Sequence, residues 1–309
     1  MRGYYYWLAV ALLAVGLVFI FSRQGRIDSR PLVVTTSTPA SLIVEELLGD
    51  DFRLVQLIPN GQEIHDFQPT PSTISNLAEA DLLVSIGAGL ETSWLDDLTS
   101  DLNLNQLIVS QEAELRDVEL IHHDEDDHDS DSEHSHDHGE IDPHLWLSPQ
   151  LILKILPSVE SKLSEISPNH SQQIRVRAVD FSQRLTNLDN LIMSEVDNFQ
   201  TKKFIASHEA FSYFARDYDL KQVGSLAATP GEVLTPGTLD EIARLIEQEN
   251  LKGIFVEPGF GEEISRQLAE DLSLELEFLN PLEVRPSNKS YVSLMEDNLS
   301  SLIKLMGSK

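Results

Sequence analysis

The sequence predicts an α/β protein of two lobes, each a mostly parallel sheet flanked by helices, joined by one long spine helix. Three observations lead there. Apolar, β-branched runs alternate with runs of helical spacing between residues 32 and 110. The same alternation returns between 203 and 306. Between these halves, Ile174, Ala178, Phe181, Leu185, Leu188, Ile192 and Val196 recur at intervals of three and four. Strands that alternate with helices pair in parallel and are covered on both faces.

In chain order, Leu32–Thr36 reads as the first strand, and Thr38–Leu48 as a helix stopped at Gly49. Phe52–Ile58 is the second strand. Ser72–Ala80, led in by Pro71, is a helix, and Leu82–Ile86 the third strand. Glu91–Leu98 is a short helix and Leu107–Ser110 a fourth strand. Ser148–Ile166 is the next helix. Pro168 to Phe199 has no Pro or Gly after its first residue and reads as one amphipathic helix, about 45 Å long for some thirty residues. In the second half, Lys203–Ala206, Leu220–Gly224, Gly253–Val256 and Leu274–Leu279 read as strands. Helices follow at His208–Tyr218, Thr235–Asn250, Glu262–Leu272 and Tyr291–Met306. The expected division is a leading segment and linker at 1–30, an N-terminal lobe at 31–167, a linking helix at 168–200 and a C-terminal lobe at 201–309.

Two stretches break the pattern. Residues 4–21, YYYWLAVALLAVGLVFIF, carry no charge over eighteen positions and suffice to span a bilayer. Tyr4, Tyr5, Tyr6 and Trp7 suit the headgroup level. The SRQGRIDSRP that follows shows no small-x-small cleavage site, which favours an uncleaved anchor over a cleaved signal. Either segment predicts a location outside the cytoplasm. The other stretch, HHDEDDHDSDSEHSHDHGE at 122–140, holds six histidines, nine acids and no apolar side chain. It cannot bury surface, so a mobile loop is expected across 121–141.

The 309 residues include 51 acids against 22 bases, a formal charge of −29. That balance excludes nucleic acid and an anionic membrane surface as main partners. The chain has no cysteine, so thiolate ligands, Cys nucleophiles and lipid attachment through Cys are excluded. A metal site here uses imidazole and carboxylate. Outside the acidic loop the histidines are His65, His144, His170 and His208. In open α/β sheets, ligands bind beyond the carboxyl ends of the strands. His65 and His208 lie just past strands of different halves, and His144 opens a helix that could join them. One histidine at a strand end is ordinarily a polar or capping residue. Three with acidic neighbours (Glu63, Asp66, Asp142, Glu209) suit a zinc shell whose second ring nitrogens are held by carboxylates. His170 reads as a surface residue.

These residues carry a resemblance. HDFQPTPSTI, DPHLWLSP, SHEAFSYFARDYDL, IARLIEQENLKGIFVEPGF and LNPLEV, in that order, resemble motifs of the zinc and manganese substrate-binding proteins of ABC transporters. The likeness runs from about residue 32 to the end. The His- and acid-rich stretch at 122–140 is similar to the loop of the zinc-type members. The resemblance implies His65, His144 and His208 as ligands, and a third imidazole favours Zn2+ over the harder Mn2+. The family often takes a fourth ligand from an Asp before Pro-Leu near the end. Here that position is Asn280, a poor ligand, which leaves Glu63, Glu209, Asn280 or water for the fourth position. Some relatives are also described as adhesins. In the loop, His122, His123, His128, His134, His136 and His138 would collect zinc at low affinity.

Two functions are therefore in view. One is a monomeric, non-enzymatic protein that captures zinc and hands it to an ABC transporter permease. Its affinity should fall below about pH 6.5 as imidazoles protonate. The other is a zinc hydrolase with a metal-bound water and Glu63 or Glu209 as base. No HExxH helix, serine elbow or Gly-rich phosphate loop supports the second.

Overall fold

The structure is a computed structural model that describes residues 28–64, 67–114, 120–121, 141–226, 235–259, 262–287 and 289–307. The apolar run at 4–21 and the histidines of 122–140 lie outside those residues, as do His65 and Asp66. Residues Pro31–Lys309 form one compact unit. Among the described residues no helix is long and apolar enough to cross a membrane.

The first half is a four-stranded parallel sheet of order β2-β1-β3-β4. Its strands are β1 (Leu32–Thr35), β2 (Arg53–Gln56), β3 (Leu82–Ser85) and β4 (Gln106–Ile108). β1 and β3 are buried along their whole length, as expected of central strands covered on both faces. Helix α1 (Thr38–Leu48) returns the chain from β1 to β2, and α2 (Pro71–Glu79) from β2 to β3. Thr70 caps α2 through a reciprocal capping box with Thr73. The short helix expected at 91–98 begins later, as α3 (Leu95–Thr99), because the Glu91 carboxylate is engaged instead with the main-chain N–H groups of Ile86 and Gly87. The strand expected at 107–110 ends at Ile108, where α4 (Val109–Glu114) starts.

After a 3-10 turn at Leu145–Leu147, α5 (Pro149–Ile166) runs antiparallel to α6 (Ser171–Val196), the spine. The spine is 26 residues, about 39 Å at 1.5 Å per residue, shorter than the sequence pattern suggests. Pro168 explains its late start: Ser167, held out of helical geometry before the proline, leads into a 3-10 turn at Pro168–His170. At the other end Phe199 bridges Gly307, which fixes the end of the spine against the C-terminus. All seven apolar positions counted from the sequence are buried.

The second half has β5 (Lys203–Ala206) parallel to β6 (Lys221–Ser225), and β7 (Gly253–Val256) parallel to β8 (Glu275–Phe278). The two pairs lie alongside each other through β5 and β7. They form two ladders rather than one continuous sheet. Helices α7 (Ser212–Asp217), α8 (Pro236–Glu249) and α9 (Glu262–Asp271) make the crossovers. Helix α10 (Tyr291–Met306), capped by Ser290, closes the chain. The helix expected to begin at His208 begins at Ser212, which leaves His208 in the turn after β5. One apolar cluster runs from the first sheet through α5 and α6 to α10. A smaller one around Ile205, Ile242, Ile254 and Leu268 fills the far side of the second half.

Candidate metal centre

Strand ends and a 3-10 turn bring the ligand candidates together. His208 follows β5 after Ser207, and Gln222 Nε2 donates to the His208 carbonyl at 2.8 Å. His144 stands at the N-cap of the Leu145–Leu147 turn. Its main-chain N–H donates to Asp142 Oδ1 at 2.9 Å, and its Nδ1 lies 2.8 Å from the same oxygen. With Nδ1–H held by that carboxylate, Nε2 carries the free lone pair. His144 Nε2 and His208 Nε2 are 3.4 Å apart. Two nitrogens at about 2.0–2.1 Å from one tetrahedral zinc stand about 3.3–3.4 Å apart. The rings are thus already spaced as two corners of a zinc shell.

The third candidate donor is Glu283. Its Oε1 lies 4.0 Å from His144 Nε2, and one donor atom from each of His144, His208 and Glu283 falls within a 4.8 Å group. Neither Glu283 carboxyl oxygen has a hydrogen-bond partner among the described residues, although the side chain is buried. A buried carboxylate without donors is costly unless a cation or a proton satisfies it.

Asn280, a candidate for the fourth position, is occupied elsewhere. Its Nδ2 donates to the Val284 carbonyl at 2.6 Å, and its Oδ1 accepts from the Leu282 N–H at 2.7 Å. Asn298 in turn brackets its main chain with bonds of 2.8 and 2.7 Å. Asn280 therefore folds the turn that presents Glu283, with Leu282 at a left-handed φ of 69°. Glu209 is exposed. Glu63 is half-buried and close enough for its charge to act on Glu283. His170 is held by Ser167 Oγ at 2.8 Å in the 3-10 turn that precedes the spine, with its side chain 38% exposed.

The electrostatics follow from burial. Burial pushes His208 down to about 4, against the pull of Asp142 and Glu209. It lowers His144 too, with the Asp142 hydrogen bond opposing. Burial would raise Asp142, but its bonds and attraction to His144 outweigh that and hold it below the usual carboxylate range. Burial pushes Glu257 up to about 8, against the pull of His144. Glu283 is raised well above the ordinary value by burial and then by the charges of Glu257 and Glu63. The pocket thus collects neutral imidazoles and raised carboxyl groups in one buried place.

The family model described as "Zinc-uptake complex component A periplasmic" matches residues 33–305. The chain belongs to this zinc-uptake family. Among the relatives of this zinc-uptake component is the high-affinity zinc uptake system protein ZnuA of Bacillus subtilis, 29% identical over 304 residues, 96% of this chain and 94% of ZnuA. The zinc-binding lipoprotein AdcA of Streptococcus pneumoniae (strain R6) is 27% identical over 302 residues. That alignment spans 95% of this chain but only 60% of AdcA. Among solved structures, the laminin-binding protein of Streptococcus agalactiae, titled a bifunctional protein with adhesin and metal transporting activity, matches with a TM-score of 0.75 and 26% identity. That match covers 89% of this chain and 99% of the laminin-binding protein. The resemblance read from the motifs and the two-lobed α/β fold therefore both hold.

Sequence reasoning passed over Glu283 and Glu257. Both stand in stretches that carry the resemblance, LNPLEV and FVEPGF, and Glu257 directly follows a strand end. An acid immediately beyond an all-apolar strand was the available signal for Glu257. Glu283 had none, because its place depends on the turn that Asn280 folds.

Proposed function

We propose that this chain captures Zn2+ outside the cytoplasm and delivers it to an ABC-type metal importer, and that it is not an enzyme. The observation that carries this reading is the 3.4 Å spacing of the His144 and His208 Nε2 atoms beside the Glu283 carboxyl, which has no donor among the described residues. His144, His208 and Glu283 supply three ligands and His65 the fourth. Glu283 takes the place that sequence reasoning offered to Glu63, Glu209, Asn280 or water. Two or more imidazoles favour zinc over manganese. Every described donor is buried, at 3%, 3% and 1% exposure for His144, His208 and Glu283, which suits sequestering an ion rather than attacking a substrate with metal-bound water. The names of ZnuA and AdcA support zinc as cargo.

The stem of the histidine-rich stretch supports a feeding role for it. The Asp142 N–H donates to the Ile121 carbonyl at 2.8 Å, and the Tyr213 hydroxyl accepts from the Ile121 N–H and donates to the Asp142 carbonyl. The described residues that flank 122–140, Ile121 and Asp142, are therefore joined beside the His144 turn, which supports release of loosely held zinc next to the site. The uncharged run at 4–21 serves as the anchor in a chain that lacks Cys.

Zinc affinity by chelator competition, repeated against Mn2+, tests the assignment. His65→Ala, His144→Ala, His208→Ala and Glu283→Gln should each weaken zinc more than about tenfold, about 1.4 kcal/mol. A quadruple variant with 122–140 deleted that still bound zinc like the parent would refute it.

A further inference from the structure

Resting on that reading of the site, we propose that Glu257 is a positioning residue for zinc. It holds the His208 ring in the tautomer that turns Nε2 toward the metal, as Asp142 does for His144. Adjacent strand ends put it there. β5 ends at Ala206 and its neighbour β7 ends at Val256, and the next residues are joined by the Glu257 N–H donating to Ser207 Oγ at 2.8 Å. That bond sets the Glu257 backbone directly beside the Ser207–His208 turn. Its side chain then reaches behind the imidazole, with Oε2 2.9 Å from His208 Nδ1. Both residues are buried, at 3% and 2% exposure, so water does not compete for the ring nitrogen.

The two imidazoles are matched in distance. Each imidazole has a carboxylate within 3 Å of Nδ1 and presents Nε2 to the other ring, with the two Nε2 atoms 3.4 Å apart. A neutral imidazole has one protonated and one bare nitrogen, and a carboxylate at Nδ1 holds the proton there. Glu257 differs from Asp142 in one respect. Asp142 is in hydrogen-bond geometry with both the ring and the main-chain N–H of His144, whereas Glu257 meets His208 Nδ1 by proximity alone and neither of its oxygens is in hydrogen-bond geometry with a donor among the described residues. Its negative charge is therefore left to balance the bound cation. A purely structural role would favour satisfied oxygens; this placement favours the metal-bound state over the empty one.

The test compares Glu257→Gln and Glu257→Leu in the full chain. The amide of Gln can still accept from Nδ1–H but has lost the charge, whereas Leu has lost both. Zinc affinity by chelator competition should fall about tenfold in Glu257→Gln and up to about a hundredfold in Glu257→Leu. With histidine 15N-labelled and Zn2+ bound, NMR should show His208 ligated through Nε2, with a slowly exchanging Nδ1–H in the parent and Glu257→Gln that exchanges fast in Glu257→Leu. Thermal unfolding without metal supplies the readout that a structural role would reverse: melting temperature should stay level or rise in Glu257→Gln. Parent protein alone suffices if the Leu variant does not fold, because ligation of zinc through His208 Nδ1 would overturn the proposal. So would a Glu257→Leu affinity within twofold of the parent, or a clear fall in metal-free melting temperature of Glu257→Gln. If His208→Ala leaves zinc binding intact, the site assignment itself fails. If His208→Ala abolishes binding while Glu257→Leu does not, only the role of Glu257 falls.

Discussion

The Trp146 indole N–H donates to the Pro281 carbonyl at 2.6 Å. Trp146 lies two residues past His144, and Pro281 two residues before Glu283, so one hydrogen bond ties the His144 segment to the turn that bears Glu283. The Tyr291 hydroxyl donates to the Trp146 carbonyl at 2.7 Å and fixes the same segment from α10. Trp146 is wholly buried, with its ring 5.0 Å from that of His144. Trp146→Phe keeps most of the apolar contact but leaves the Pro281 carbonyl without its donor. Urea unfolding should show a loss of about 1–3 kcal/mol, the cost of a buried orphaned acceptor. Zinc affinity should fall with it.

Asn280→Ala separates the turn from the ligand. The substitution removes the bonds to Val284 and Leu282 but takes away no metal donor. Unfolding should cost about 1–3 kcal/mol. The absorption spectrum of the Co2+-substituted protein should keep the parent's four-coordinate intensity. Glu283→Gln should do the reverse, changing the cobalt spectrum while leaving metal-free stability level or higher.

What the sequence conveyed tracks the range of each interaction. The spine's core-facing residues were legible from Ile174 to Val196 because helical periodicity is local. Its start was misplaced by three residues because Pro168 acts on Ser167, and a proline at the head of an apolar stripe reads equally well as a first helical turn. His144 and His208 were legible as strand-end and helix-start residues. Their convergence at 3.4 Å depends on contacts 64 residues apart in the chain. Asn280 was taken for a ligand candidate because its position suggested one, while its bonds to Val284 and Asn298 arise only once the turn is folded. Glu283 needed all of these contacts in place.

Asn60 and Arg285 form a clasp at the rim of the site. Asn60 Nδ2 donates to the Arg285 carbonyl at 2.9 Å, and the Arg285 N–H donates to Asn60 Oδ1 at 2.7 Å. The Arg285 guanidinium is anchored on Glu45 of α1 at 2.6 Å. The clasp joins the loop before Ile64 to the turn that bears Glu283. Asn60→Ala removes both bonds, each contributing about 0.5–1.5 kcal/mol. Stopped-flow release of zinc to excess chelator should therefore quicken by about 5- to 160-fold, with a smaller change in the association rate. An unchanged release rate would show that the loops separate without this contact.

Zinc affinity and metal-free stability should move in opposite directions with pH. Histidine with its ordinary value suggests that binding weakens below about pH 6.5. Burial alters this, because His208 is lowered to about 4 and His144 is lowered too, so these rings stay neutral well into acid. Glu257 is raised to about 8 and Glu283 is raised as well. A raised carboxyl binds more protons folded than unfolded, so its contribution to stability is full below the unfolded value and is lost as pH rises through the folded one. A lowered histidine does the opposite, and its contribution is lost as pH falls below about 6.5 toward 4. From pH 8 down to 6.5 only the carboxyls are active, and metal-free stability should rise. Zinc must displace the same protons, so its affinity should fall over that window and protons should be released on binding. Thermal melts without metal and calorimetry in buffers of different ionisation enthalpy measure the two trends. Affinity that stayed flat from pH 8 to 6.5 and dropped only below would return control to the histidines.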